Sequence, residues 1–363
     1  MNIVDAVYIH IPFCQTICSY CDFCKMFYNE TLVNQYLIEL EHEIRQSYKG
    51  EEIKTLYIGG GTPSCLNIHQ LNRLFGIIKI FHLNQNYEYT FECNIDSINE
   101  EKLELLKNNG VNRISVGIQT FNNKFLEYLN RNHTKSLAIN NLCLTKKYFR
   151  NINVDLMYAF KSQTIKDLDN DLDLLISLAI PHISTYSLII EKNTKLYINH
   201  EQNIDEDLDY QMYQHIIQKL QKNDYIHYEI SNFSKDGYES KHNLVYWNNL
   251  HYYGFGLGAS GYLQDIHYEN TRSINSYLKG NYRYDQHKLD NDETIENEFI
   301  LGFRKIKGIN KKEFYNKYKI DISNNEIVKK MLNANKLIDD GENVYINRDY
   351  IYLSNDILVE FLN

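Results

Sequence analysis

Short apolar runs recur along the first two thirds of the chain, each followed by a longer stretch whose apolar positions repeat every three to four residues. The short runs predict strands near 6–11, 54–59, 87–93, 112–118, 152–158 and 182–188. The longer ones predict helices near 30–48, 67–82, 99–109, 122–148 in two pieces, 164–178 and 205–222. Asn99 is placed to cap the helix that Gly110 closes, and Thr164 with Asp167 reads as a capping-box start. Repeated strand–helix units favour a parallel sheet with right-handed crossovers. Six units fall short of the eight of a full barrel, so the expected fold is α/β: a partial, TIM-like (β/α)6 barrel over 1–233. A Gly- and aromatic-rich segment over 234–285 is expected to close it. A small C-terminal module of winged-helix type follows over 286–363, with 345–352 as strand candidates.

Alternation within the strands assigns their faces. Ile114, Val116 and Ile118 oppose Ser115, Gly117 and Gln119; Ile152, Val154 and Leu156 oppose Asn153, Asp155 and Met157; Tyr87, Tyr89 and Phe91 oppose Glu88, Thr90 and Glu92. Successive side chains on a strand point to opposite sides, so the apolar sets are expected under outer helices and the polar sets inside the barrel. One alternating strand commonly marks a half-exposed sheet. Three of them, each with a polar residue near its C-terminal end, indicate a ligand cavity at the face where barrel enzymes place their sites.

Composition narrows the function classes. The net charge of -9 and pI near 5.8, with no clustered Lys/Arg stripe, exclude a nucleic-acid-binding surface. No apolar run is long enough to span a bilayer, and the N-terminus lacks a signal-peptide pattern. The expectation is a soluble protein, with peripheral membrane contact still compatible. Seven cysteines are present. Four of them crowd between Cys14 and Cys24, a poor frame for disulfides, which implies a reducing, cytoplasmic setting.

The cysteines carry the chemistry. Cys14, Cys18 and Cys21 follow the apolar stretch from Tyr8 to Phe13 with spacing C-x3-C-x2-C. A [4Fe-4S] cluster normally takes four thiolates, so a three-cysteine set leaves one iron open to a ligand. A structural zinc site needs four ligands, usually two separated pairs, and no second C-x-x-C follows. The second strand runs into Gly59, Gly60, Gly61, Thr62, Pro63 and Ser64, where glycines let backbone groups approach a ligand closely.

The ordered segments YIHIPFC-x3-C-x2-C, GGGTPS, FECN, NRISVGIQTF and VDLMY, within residues 6–280, resemble the oxygen-independent coproporphyrinogen III oxidase-like branch of the radical S-adenosylmethionine (SAM) superfamily. The resemblance implies that Cys14, Cys18 and Cys21 hold a [4Fe-4S] cluster and that Tyr8, Gly60 and Glu92 contact SAM. It also implies roles for Gly61, Thr62, Gln119, Arg131 and Asp155 in binding SAM or a second ligand. Of these, Arg131 lies in a helix-rich segment where a solvated arginine is the ordinary case.

Two readings compete within that branch. Members that oxidatively decarboxylate coproporphyrinogen carry a further cysteine two positions after the third ligand and a long N-terminal arm. Here that position is Phe23, and the first strand begins near Met1. Both features resemble the haem chaperones of the branch, as does His242-Asn243-x-x-Tyr246-Trp247, similar to their HN-x-x-YW haem motif. Imidazole can ligate haem iron and aromatic faces can pack on the macrocycle. The resemblance thus implies haem as ligand and haem-requiring acceptors, membrane respiratory enzymes among them. It leaves open whether the cluster and SAM serve assembly, dimerisation or a radical step. The alternative is a SAM-dependent coproporphyrinogen III dehydrogenase. Cys24 reads as a surplus thiol or as a fourth cluster ligand in the absence of SAM. The family's Gly-x-Pro turn after the fifth strand is replaced by Ala159-Phe160-Lys161-Ser162 before Gln163-Thr164.

Overall fold

A computed structural model describes residues 4–362. Six parallel strands lie side by side in chain order: β1 (Ala6–Ile11), β2 (Glu52–Gly60), β3 (His82–Asn94), β4 (Arg113–Gln119), β5 (Asn151–Tyr158) and β6 (His182–Ser187). Between them run α1 (Glu30–Ser47), α2 (Ile68–Ile78), α3 (Glu100–Asn108), α4 (Asn123–Tyr128), α5 (Lys135–Tyr148) and α6 (Ile165–Ser177), followed by α7 (Glu206–Lys222). The expected partial α/β barrel is therefore present. Its sheet is nine-stranded, because a hairpin of β7 (Ile226–Glu229) and β8 (Asn232–Ser234) adds antiparallel to β6, and β9 (Tyr253–Phe255) adds parallel to β1.

The helices form where local signals place them. Asn99 accepts from Lys102 N at the start of α3, and Thr164 with Asp167 makes a reciprocal capping box on α6. Ile114, Val116, Ile152, Val154, Leu156 and Phe91 are fully buried in one continuous core with the inner faces of the helices. On the other face of the sheet the polar sets look into the barrel: Thr90, Ser115 and Asn153 are buried there, joined by Arg113, which is 2 % exposed.

After β9 a three-stranded antiparallel sheet forms from β10 (Ser260–Leu263), β11 (Ile266–Asn270) and β12 (Arg283–Lys288). It is tied to the barrel through Glu43 of α1, whose buried carboxylate accepts from Gly256 N (2.8 Å), Asn270 Nδ2 (2.7 Å) and the Tyr277 hydroxyl (2.7 Å). The C-terminal region runs α8 (Lys241–Trp247) aside, through α9 (Asn291–Gly302), β13 (Ile309–Asn310), α10 (Lys311–Tyr318), α11 (Glu326–Asn333), β14 (Leu337–Asp339) and β15 (Asn343–Ile346). This helix–strand–helix–helix–strand–strand order is that of a winged helix. The strand expected over 345–352 stops at Ile346. Asn347 accepts from Asp349 N and starts a 3₁₀ turn over Arg348–Leu353, because its side chain offers the backbone a turn in place of a ladder.

Candidate cofactor-binding site

The chain leaves β1 through Pro12 into the cysteine loop. Cys14 is buried, Cys18 and Cys21 are half-buried, all three are free thiols, and all three line one cavity of about 130 Å³ at the C-terminal ends of the strands. The Thr62 hydroxyl donates to Cys14 Sγ (3.5 Å) and Arg131 Nη1 to Cys18 Sγ (3.3 Å). Burial, and then the neighbouring Cys21 and Cys18, push the Cys14 thiol up to about 11; burial also raises Cys21. Three thiolates in such a pocket require a cation to carry their charge. Among the described residues no three His, Cys, Asp or Glu side chains converge as they would on a single metal ion. Three thiols line this one cavity beside Arg131 and Lys25, a donor set that fits an iron–sulfur group.

The glycine run shapes the opposite wall. Gly60 sits at φ +118, and a Cβ there would stand 2.8 Å from the His10 ring; a Cβ on Gly61 would stand 2.9 Å from both Cys14 Sγ and Phe13 O. Only glycine lets this strand end lie against the cysteine loop. Glu92 is held by the Tyr57 hydroxyl (2.7 Å) and by Gly60 N (3.1 Å), and burial pushes its carboxyl up to about 7. Gly60, Gly61, Thr62 and Glu92 all line the cysteine cavity. Tyr8 does not; it donates to or accepts from His10 Nδ1 (2.9 Å) and lines the adjoining cavity.

Gln119, Arg131 and Asp155 complete the cavity. Gln119 ends β4 in the left-handed region (φ 72), a conformation that costs a non-glycine residue about 1–3 kcal/mol and is held only by firm surroundings. Asp171 of α6 provides them: it accepts from the Thr120 hydroxyl (2.6 Å) and Phe121 N (3.1 Å). Arg131 turns inward from the loop after α4, donating to Asn94 Oδ1 (3.2 Å) and to Gly117 O as well as to Cys18. Asn94, to which sequence reasoning assigned no role, bridges it to Thr62 through Nδ2 (3.1 Å). Asp155 accepts from Asn153 Nδ2 (2.8 Å), and Asn153 in turn binds Ser115, Ser184 and His182.

The HN-x-x-YW residues lie on α8, which enters the barrel from the other end. Glu88 receives the backbone N–H groups of Lys241 (3.2 Å) and His242 (3.1 Å). His242 is 1 % exposed, and both ring nitrogens are engaged, Nδ1 with Thr55 Oγ1 (2.9 Å) and Nε2 with the Tyr246 hydroxyl (2.8 Å). Burial, with Arg113 adding to it, lowers its pKa to about 3, so the imidazole is neutral. The four motif residues do not share one surface. His242 is inside, Tyr246 lines the cavity beside the cysteine pocket, Asn243 N donates to the Ser240 cap (3.3 Å), and Trp247 packs under the Arg304 guanidinium, 4.8 Å from its ring centre. Cys24 lines that adjoining cavity, and its carbonyl accepts from His10 Nε2 (2.7 Å).

Residues 8–175 match the radical SAM superfamily. The haem chaperone HemW of Lactococcus lactis is 38% identical over 99% of this chain and 97% of its own, and that of Bacillus subtilis 36% identical over 99% of both. The chain belongs to the HemW family of radical SAM proteins. HemW of Escherichia coli is 31% identical over 85% of each chain. Among solved structures, coproporphyrinogen III oxidase (HemN) of Escherichia coli, a radical SAM enzyme, superposes with a TM-score of 0.87 over 99% of this chain and 90% of its own. At 20% identity that likeness establishes the shared fold.

Proposed function

We propose that this protein is a haem chaperone: it binds a [4Fe-4S] cluster, SAM and haem, and passes haem to haem-requiring proteins, respiratory membrane enzymes among them. The observation that carries the reading is the near full-length match to haem chaperones at 36% and 38% identity. Phe23 supports it. It is 65% exposed at the cavity rim, at the position where the sequence resemblance puts a further cysteine in the decarboxylating members.

On this reading Cys14, Cys18 and Cys21 hold the cluster, with Arg131 and Lys25 balancing thiolate charge. The bound cluster supplies one-electron chemistry on SAM. Glu92, with both oxygens already oriented by Tyr57 and Gly60, presents a carboxylate to the amino group of SAM, while Gln119 and Asp155 shape the far side of its seat. His242 would ligate the haem iron, for which its Nε2 would have to exchange the Tyr246 hydroxyl. All seven cysteines are free thiols, which supports a reducing, cytoplasmic setting. No helix among the described residues is long and apolar enough to cross a membrane.

The test is haem titration of anaerobically reconstituted protein, with a coproporphyrinogen assay beside it. Stoichiometric haem uptake without coproporphyrinogen turnover is expected. Conversion of coproporphyrinogen III by the protein with SAM and a reductant assigns the dehydrogenase function instead.

A further inference from the structure

Beside the cysteine pocket lies a second cavity of about 330 Å³, at the lower end of the roughly 300–1,000 Å³ of small-molecule sites. The two share Phe23, Gly60 and Glu92 as common wall. Phe23, Tyr246 and Tyr252 give the second cavity aromatic surface. One side is built by the loop after β9, which presses against the cysteine loop: Gly258, at φ +70, lies where a Cβ would stand 2.6 Å from Cys24 Cβ, and its N–H donates to Thr271 O (2.9 Å). That contact sets the next residue, Arg272, at the cavity.

Arg272 is exposed and makes no hydrogen bond or ion pair with a described residue. Two other polar groups of the wall are committed. Glu92 is held by Tyr57 and Gly60 N, and His10 is bound through both ring nitrogens, to Tyr8 and to Cys24 O. Asp22 and Glu92 make other parts of the wall acidic, so Arg272 is the one cationic side chain offered to a ligand carboxylate, which its guanidinium matches in a two-pronged geometry. The combination of aromatic faces, one free arginine and this volume fits a flat, carboxylate-bearing ring.

We propose that this cavity seats the tetrapyrrole, with Arg272 binding a propionate and Phe23, Tyr246 and Tyr252 packing on the macrocycle, directly alongside the SAM pocket. The inference rests on the haem reading above and adds to it the place and the anchoring residue. Tyr246, which lines the cavity and holds His242 Nε2, leaves the imidazole one side chain removed from the ligand.

The test titrates full-length, cluster-reconstituted protein with iron protoporphyrin IX and with its dimethyl ester, following the Soret band. Wild type should prefer the free acid, and Arg272→Gln should bind it about tenfold more weakly, the loss of about 1.4 kcal/mol, with Arg272→Lys between them. Diester binding should be equal in wild type and Arg272→Gln, which also shows that the variant is folded. Equal affinity of wild type and Arg272→Gln for the free acid, a wild type that does not distinguish acid from diester, or an Arg272 dependence confined to SAM binding overturns this site while leaving haem binding intact. A wild type that binds neither porphyrin overturns the haem reading itself.

Discussion

His242 and Tyr246, one turn apart on α8, are joined by a hydrogen bond of 2.8 Å between imidazole Nε2 and the phenol, while Thr55 holds Nδ1 at 2.9 Å. The packed helix therefore presents no free nitrogen to iron, and ligation by His242 has to begin with loss of the Tyr246 contact. A hydrogen bond of this kind contributes about 1 kcal/mol net. Tyr246→Phe should accordingly accelerate the appearance of a histidine-ligated haem spectrum by about fivefold, read by stopped-flow absorbance. His242→Ala should remove that spectrum, and a variant spectrum identical to wild type rules His242 out as the ligand.

The buried histidines set a pH dependence. Burial lowers His242 to about 3 and His10 to about 4, both below the ordinary 6.5. The folded protein then binds fewer protons than the unfolded chain in this window. Their contribution to stability is full above pH 6.5 and is lost as pH falls toward 4 and 3, by up to about 1.4 kcal/mol per pH unit for each group. Glu92, raised to about 7 by burial, has the opposite sign: its contribution is full below 4.5 and is lost as pH rises through 7. Nitrogen-15 NMR of the imidazoles should show His242 and His10 neutral at pH 5.5. A protonated His242 at that pH contradicts the buried, doubly bonded geometry.

The loop after β5 is strained. Where the family's Gly-x-Pro turn would stand, Ala159 lies at φ 65 and Ser162 at φ 64, a left-handed conformation costing about 1–2 kcal/mol for a residue with a Cβ. Phe160 N donating to Gln163 Oε1 (3.2 Å) holds the turn despite this cost. Ala159→Gly should stabilise the protein by about 1 kcal/mol in chemical denaturation, as should Ser162→Gly. A loss of stability in both would mean that the loop is not in the left-handed region.

Gly61→Ala places a methyl 2.9 Å from Cys14 Sγ and from the Phe13 carbonyl, one neighbour being backbone that cannot swing aside. The substitution should displace Cys14, and reconstituted protein should carry less than half the iron and sulfide of wild type. Full cluster content in Gly61→Ala would show that Cys14 does not occupy the place described for it.

Alternation alone revealed the inner face of the barrel because strand side chains have a strict period of two; Glu92, Gln119 and Asp155 line the cavity by that rule. Arg131 was beyond its reach. It sits after a six-residue helix and reaches the site only through contacts distant in sequence, with Cys18 and Asn94. Arg113 at the start of β4 looks like any solvated strand end, yet the barrel buries it beside His182 and His242. The front half of β3, from His82, has too few apolar residues to show periodicity, and β7 and β8 are too short to show any. Burial of the HN-x-x-YW histidine was likewise illegible, since it depends on Thr55 and Glu88, far away in the chain.

Haem uptake and transfer test the central claim most directly. Anaerobically reconstituted wild-type protein, loaded with haem and mixed with a haem-free acceptor, should hand over its haem, and in a parallel reaction with SAM and reductant it should leave coproporphyrinogen III unconverted. Failure to retain haem, together with formation of protoporphyrinogen, would contradict the account.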